Sequence, residues 1–317
     1  MKKRIVITAF VCLSGGMACS DGGNNGLQPV ETTVRLEGSI GLSSRAVIGS
    51  GYADALAVCF ARQDETVPQS GTYGAWHVCK AVRNGGDGRQ PILFTVPQFY
   101  PVDGRTIRMQ GYFPMEGETV EADTAAGMVQ FTVDGTTDIM ATDFLNGNAY
   151  TPFNTCIFYH LLTQIQLVCY SRDADKWGSV TQIDVENVHT RQQLTFSVVP
   201  PFLTDVSSAT DIKIVSVPDM PVFPIPEIEE EEELPDPQGI VLLPVSGGSY
   251  RLQIVTTKDG RGNETETTSE VAIGVEGGFL TGKSHVISLL FTEESQIKTT
   301  FVGVAAWTEH DEVDIPI

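Results

Sequence analysis

Basic residues are scarce in this chain: Lys and Arg number 20 among 317 residues, against 40 Asp and Glu, for a formal net charge of -20. A surface of that sign repels phosphate backbones, which argues against nucleic acid as a partner. Beyond the N-terminus no apolar run approaches the ~20 residues that a spanning helix requires. No stretch of a dozen residues repeats its apolar side chains at helical spacing, so a helical fold is not expected. Catalytic signatures are missing as well: there is no GxSxG elbow, Walker loop, HExxH or glycine-rich dinucleotide fingerprint. The five histidines are scattered. The expectation is a protein that is not an enzyme and carries neither cofactor nor metal.

What is present begins with an address. Lys2, Lys3 and Arg4 precede an apolar run of about nine residues, Ile5 to Leu13, followed by Gly15, Gly16, Met17, Ala18 and Cys19. A run that short is a secretory signal rather than an anchor. Ala18-Cys19 resembles a bacterial lipobox, in which the cysteine is acylated after cleavage, although Gly16 stands where an aliphatic is usual. A plain signal with an incidental Cys19 is the other reading. Residues 1–18 are thus expected to be a signal peptide. Residues 19–30, rich in Gly, Asn, Asp and Ser, are expected to form a lipidated tether.

Gly 31 and Pro 17 together give a high turn content, and short alternating runs fill the space between turns. Val34, Leu36, Ile40 and Leu42 occupy every second position but one, with Arg35, Glu37, Ser39 and Gly41 between them, an amphipathic strand with one apolar face. Further strands are expected at Leu56 to Phe60, Ile92 to Val96, Thr106 to Phe113, Gly127 to Val133, Cys156 to Tyr170, Val180 to Val188 and Leu194 to Val199. The series continues at Ile212 to Val217, Ile240 to Leu243, Tyr250 to Thr256, Val271 to Val275, His285 to Phe291 and Lys298 to Trp307. Their spacing is that of β-sandwiches. Polar Ser171 to Ser179 falls near the middle, so domains are expected at 31–175 and 176–317.

Pro218 to Gly239 holds six prolines around Glu227 and Glu229 to Glu233. Proline removes ladder donors and like charges repel, so a solvated surface loop is expected rather than a calcium site. Asp259-Gly260-Arg261-Gly262-Asn263-Glu264 resembles a calcium loop, but Arg261 occupies a ligand position and a hairpin turn accounts for the glycines. Cys59, Cys79, Cys156 and Cys169 show no CxxC or zinc spacing, and both disulfides and buried thiols fit their apolar surroundings. His160 reads as a hydrogen-bonded histidine at the edge of a core. Trp76, Trp177 and Trp307 fit either core packing or a surface that stacks on sugar rings.

Four local patterns together resemble the fimbrillin family, the subunits of type V pili of Gram-negative anaerobes. They are Gln98 to Gly104 with Gly111-Tyr112-Phe113-Pro114; Phe131-Thr132-Val133-Asp134-Gly135-Thr136-Thr137-Asp138-Ile139-Met140; the run His160 to Val168; and a terminal β run ending in Val304-Ala305-Ala306-Trp307. The resemblance spans about residues 30–317. It implies an all-β chain of two tandem transthyretin-like Greek-key β-sandwich domains, exported to the outer membrane through lipid on Cys19 and displayed on the cell surface. It further implies cleavage by an arginine-specific protease after the first strand, at Arg45 in Ser43-Ser44-Arg45-Ala46, so that Ala46 begins the mature subunit. The departing strand would be Val34, Leu36, Ile40 and Leu42, and a strand of another pilin subunit would fill its groove.

Elementary physics supports this order of events. Loss of a strand with one apolar face exposes both hydrophobic surface and unpaired backbone groups, which an added strand satisfies. A head-to-tail contact of that kind does not close and builds a filament. Val313, Ile315 and Ile317 alternate with Asp314 and Pro316 and are the candidate donor strand, although Pro316 lacks an N-H. The competing expectation is a lipoprotein that does not polymerise: a pilus anchor or tip, or a glycan-binding module. A host or bacterial surface receptor or glycan is the expected adhesive partner.

Overall fold

The computed structural model describes residues 31–41, 52–115, 120–206, 211–229, 233–245 and 248–305. Among them the first strands are β1 (Thr32–Thr33), β2 (Leu36–Ile40), β3 (Leu56–Asp64), β4 (His77–Arg83), β5 (Gln90–Phe94), β6 (Phe99–Tyr100) and β7 (Ile107–Phe113). Then come β8 (Val120–Asp123), β9 (Met128–Thr132), β10 (Met140–Thr142), β11 (Leu145–Gly147), β12 (Thr155–His160), β13 (Thr163–Ser171), β14 (Ser179–His189), β15 (Arg191–Thr195) and β16 (Leu203–Asp205). The last are β17 (Ile212–Ser216), β18 (Phe223–Pro224), β19 (Gly239–Leu243), β20 (Ser249–Thr256), β21 (Thr267–Gly274), β22 (Ser284–Phe291) and β23 (Ile297–Ala305). Ala174–Lys176 forms a 3-10 turn, and helix is otherwise almost absent among the described residues. The chain is all-β, as its alternating patterns require.

The first layers form a ring. Strands β10, β12, β2, β5, β4, β3 and β7 pair edge to edge in that order, and β10 also pairs β7, so seven strands close on themselves while β11 adds to β7. Closure removes the exposed edges an open sheet would present. Leu36, Ile40, Val58, Phe60, Ile107, Met109 and Phe158 pack in one core cluster. Cys59, Ala61, Tyr112 and Ala141 face the other way, where Val129, Phe131 and Leu194 of the sheet β16-β15-β9-β8 cover them. Alternate residues of β3 thus serve two cores, which is why Leu56 to Ala61 contains so little polar sequence.

The remaining strands make a sandwich. Ile165, Leu167, Val241, Ile287 and Leu289 from the sheet β19-β13-β22-β23 meet Val180, Ile183, Val185, Leu252 and Ile254 from the sheet β17-β14-β20-β21. Trp177 is buried in this core, donates its indole N-H to the Thr292 carbonyl at 3.0 Å, and stands edge-on to Phe291. The polar stretch expected to lie between domains therefore seals the core of the sandwich.

Several sequence expectations change in detail. The first of the two expected sandwiches is a ring, because β10 has a partner on each side. The single run Cys156 to Tyr170 is two strands separated at Leu161 and Leu162, which turn into a cluster shared with Leu242. Strand pairing passes from ring to sandwich there, between His160 and Thr163, while β15 reaches back to pair β9. Pairing thus crosses the 175/176 position in both directions. The proline-rich segment is not simply solvated either. Phe223–Pro224 pairs β14, Ile225 is buried, and the Glu227 carboxylate accepts the Ala174 N-H.

Candidate functional site: the first ring strand

Strand β2 lies inside the ring, antiparallel to β5 across Leu36 to Gly38 and parallel to β12 across Glu37 to Ile40. Val34, Leu36 and Ile40 are almost completely buried, so three of the four residues expected to face the core do so. The fourth, Leu42, lies outside the described residues, as do Cys19, Arg45, Ala46, Val313, Ile315 and Ile317. Gly38 occupies the inward position between Leu36 and Ile40. A Cβ there would meet the Ile92 Cδ1 at 2.7 Å and the Cys156 Sγ at 3.4 Å, inside ordinary contact distance on the first count.

Above Gly38 sits the guanidinium of Arg83, the inward residue at the end of β4 and inaccessible to solvent. It donates from Nε to the Gly38 carbonyl at 3.0 Å, from Nη1 to the Asn84 carbonyl at 2.9 Å, and from Nη2 to the carbonyls of Gly86 and Gly88 at 3.1 and 2.8 Å. Burial lowers its pKa from the ordinary arginine value. The charge is satisfied by four backbone carbonyls, and one of them belongs to β2.

Open space borders both ends of β2. A groove of about 740 Å³ runs along its first half and is lined by Arg35, Glu37, Arg89, Leu93, Gln98 and Thr155, among others. A second cavity of about 520 Å³ lies beyond its last residue, beside Gly41, Tyr159, Phe202 and Lys283. Solvent therefore reaches the strand at each end, while its middle is held by short ladders.

Other residues singled out by sequence have structural roles. No disulfide joins Cys59, Cys79, Cys156 and Cys169, all of which are buried. Burial pushes the thiols of Cys79, Cys156 and Cys169 up to about 11, about 12 and about 12. In the Val133-to-Met140 motif, Asp134 accepts the N-H groups of Thr136 and Thr137 at 2.9 and 2.7 Å, a self-contained turn. Asp138 meets the Nδ1 of His160 at 2.5 Å, both side chains being buried, so His160 is the hydrogen-bonded core histidine its neighbours imply. Asp259 accepts from the backbone of Arg261 and Asn263 and from Asn263 Nδ2 within the β20–β21 hairpin, its carboxylate engaged by its own turn. Among the described residues no cluster of three or more His, Cys, Asp or Glu has metal-binding geometry. Trp76 packs against Phe144 and Phe196, and Trp177 is core.

Comparison with known proteins bears on the fold. No protein-family model matches the chain, and no curated protein matches it. Among solved structures it is similar to a candidate cell adhesion protein from Bacteroides uniformis, at 14% identity and a TM-score of 0.57, covering 90% of this chain and 100% of that one. A candidate cell adhesion protein from Bacteroides ovatus gives the same identity and score over 89% and 100%. A fimbrial protein from Bacteroides vulgatus matches at 13% identity and a TM-score of 0.50, over 87% and 99%. At these identities the likeness is one of fold, extending over almost the whole of each chain.

Proposed function

We propose that this chain is a structural, non-enzymatic subunit of a cell-surface pilus of the fimbrillin type, and that β2 is a provisional strand. The chain is exported as a lipoprotein acylated at Cys19 and held at the outer membrane. Cleavage after Arg45 then frees β2, and a strand of another subunit fills the ring. The adhesion and fimbrial proteins that share the fold support this reading, as does the resemblance of the sequence motifs to that family.

One observation carries it. Strand β13 holds the same place in the sandwich that β2 holds in the ring, between one antiparallel and one parallel neighbour. Strand β13 pairs across five residues with β19 and eight with β22, whereas β2 pairs across three with β5 and four with β12. The ring's first strand contributes apolar burial worth roughly 5–9 kcal/mol from Val34, Leu36 and Ile40, with little ladder to resist its exchange.

The deciding experiment isolates the protein from its native membrane and determines its N-terminus and intact mass with and without an arginine-specific protease. A chain beginning at Ala46 and running as a ladder of oligomers is the expected result, with Arg45→Ala abolishing both. A monomer that retains acylated Cys19 and resists cleavage would overturn the pilin reading in favour of an anchor or ligand-binding lipoprotein.

A further inference from the structure

The groove under β2 has a feature that selects what can replace it. Its floor at the Gly38 position is raised on one side by Ile92 Cδ1 and on the other by Cys156 Sγ, 2.7 and 3.4 Å from where a Cβ would stand. Ile92 and Cys156 are themselves buried in the ring core. Its wall holds the Arg83 Nε, aimed at the carbonyl of that same residue. The positions on either side, Leu36 and Ile40, are deep and apolar.

We propose that the ring is a glycine-reading acceptor: it takes an extended strand of a second polypeptide that runs parallel to β12, is apolar at the Leu36 and Ile40 positions, and carries glycine at the Gly38 position. This rests on the reading that β2 leaves the ring, and adds to it the chemistry of the strand that enters. An alanine at the central position moves only the flexible tip of Ile92, a small cost, whereas the extra methyls of valine crowd Ile92 Cγ1 and Cys156 Sγ as well, which already stand 3.4 Å from the Cβ, and overpack the core. The Arg83 Nε holds the entering strand through the carbonyl at this position, a group that any residue supplies, so the selection for glycine is steric.

The filter has a consequence for the chain's own tail. A register that seats Val313 over the Leu36 site and Ile317 over the Ile40 site brings Ile315 to the place where glycine is read. The tail in that register is rejected, and the strand that fills the ring carries glycine between two apolar residues at alternate positions.

The test uses the full chain cleaved by an arginine-specific protease, with synthetic peptides of residues 32–42 as probes. Peptide affinity is read by fluorescence anisotropy, and Cys156 alkylation by peptide-resolved mass spectrometry. Cleavage should expose Cys156, and the native peptide should protect it again. Gly38→Ala in the peptide should weaken binding toward the low end, and Gly38→Val toward the high end, of a range of about 5- to 150-fold. Ile92→Ala in the protein should recover most of the loss for the valine peptide. A peptide of residues 311–317 should leave Cys156 reactive. Equal binding of the glycine and valine peptides to an exposed groove would overturn the filter alone. A Cys156 that stays protected after cleavage, with no probe added, would overturn the strand release on which the filter rests.

Discussion

Replacing Arg83 by methionine tests whether its guanidinium holds the first strand or merely fills the ring. Methionine keeps the stem and the packing but removes five N-H donors. Three of the four carbonyls that Arg83 serves, those of Asn84, Gly86 and Gly88, lie in a partly exposed turn where water replaces the lost bonds; the Gly38 carbonyl is buried with its residue, keeps its ladder partner Gln90, and loses only the bond from the charged donor. Losing one hydrogen bond from a charged donor costs about 1.5–3 kcal/mol. If that loss falls on β2 alone, the equilibrium for local opening rises by about 10- to 150-fold. Alkylation of Cys156 reads that opening directly, because its thiol is held at about 12 when buried and returns to an ordinary 9.0 when the strand departs. Cys169, buried in the sandwich core, is the internal control. The expected result is faster labelling of Cys156 by that factor with Cys169 unchanged. Parallel acceleration of both thiols, or of neither, would refute the assignment of Arg83 to the strand.

Other outcomes follow from the same geometry. Leu36→Ala and Leu167→Ala each remove a buried leucine and should cost about 2–5 kcal/mol, but only the first should increase Cys156 labelling below the unfolding transition, as mass spectrometry of partially denatured samples will show. The three raised thiols fix the sign of the alkaline limb. Unfolded thiols ionise from about 9 while the folded ones keep their protons to about 11 and 12, so stability is complete below pH 9 and falls as pH rises through that window. Urea midpoints between pH 8 and pH 11 should record this fall, and Cys169→Ala should reduce its slope. Asp138→Asn retains the shape beside His160 but removes the charge at the 2.5 Å contact. A loss of about 1–3 kcal/mol in denaturant unfolding is expected, and an unchanged midpoint would show the contact to be energetically idle.

Much of the fold was legible in the sequence wherever one face of a strand is apolar and the other wet. Val34 to Ile40 and Tyr250 to Thr256 appear where alternation places them. Strand β4 escaped because its inward residues are Cys79, Ala81 and Arg83, two small side chains and a charge, with no hydrophobic period to read. The residue that hides the strand is also the one that contacts the candidate site. Ring closure was equally hidden, since it depends on Met140–Thr142, a three-residue strand that pairs on both edges. The importance of Gly38 shows only when Ile92 and Cys156 are brought beneath it by strands far away in sequence. In the chain itself it is one glycine among 31.

The two halves of the molecule place equivalent strands under unequal restraint, and that inequality is what the proposed strand exchange requires. Strand β13 is continuous with the layer boundary at Leu161 and Leu162, is buried along nearly its whole length, and exchanges ladder bonds with β22 over eight residues. Opening it would unfold the sandwich. Strand β2 is buried on one face only and has half the ladder, a glycine in place of a central side chain, and open space at each end. Each departure weakens retention without weakening the ring around it, because β5 remains paired to β4, and β12 to β10. A ring missing β2 therefore retains six connected strands and offers two facing edges, one apolar floor and one charged donor. An incoming strand that supplies the glycine and its carbonyl restores every interaction the first strand made, without requiring any other part of the chain to refold.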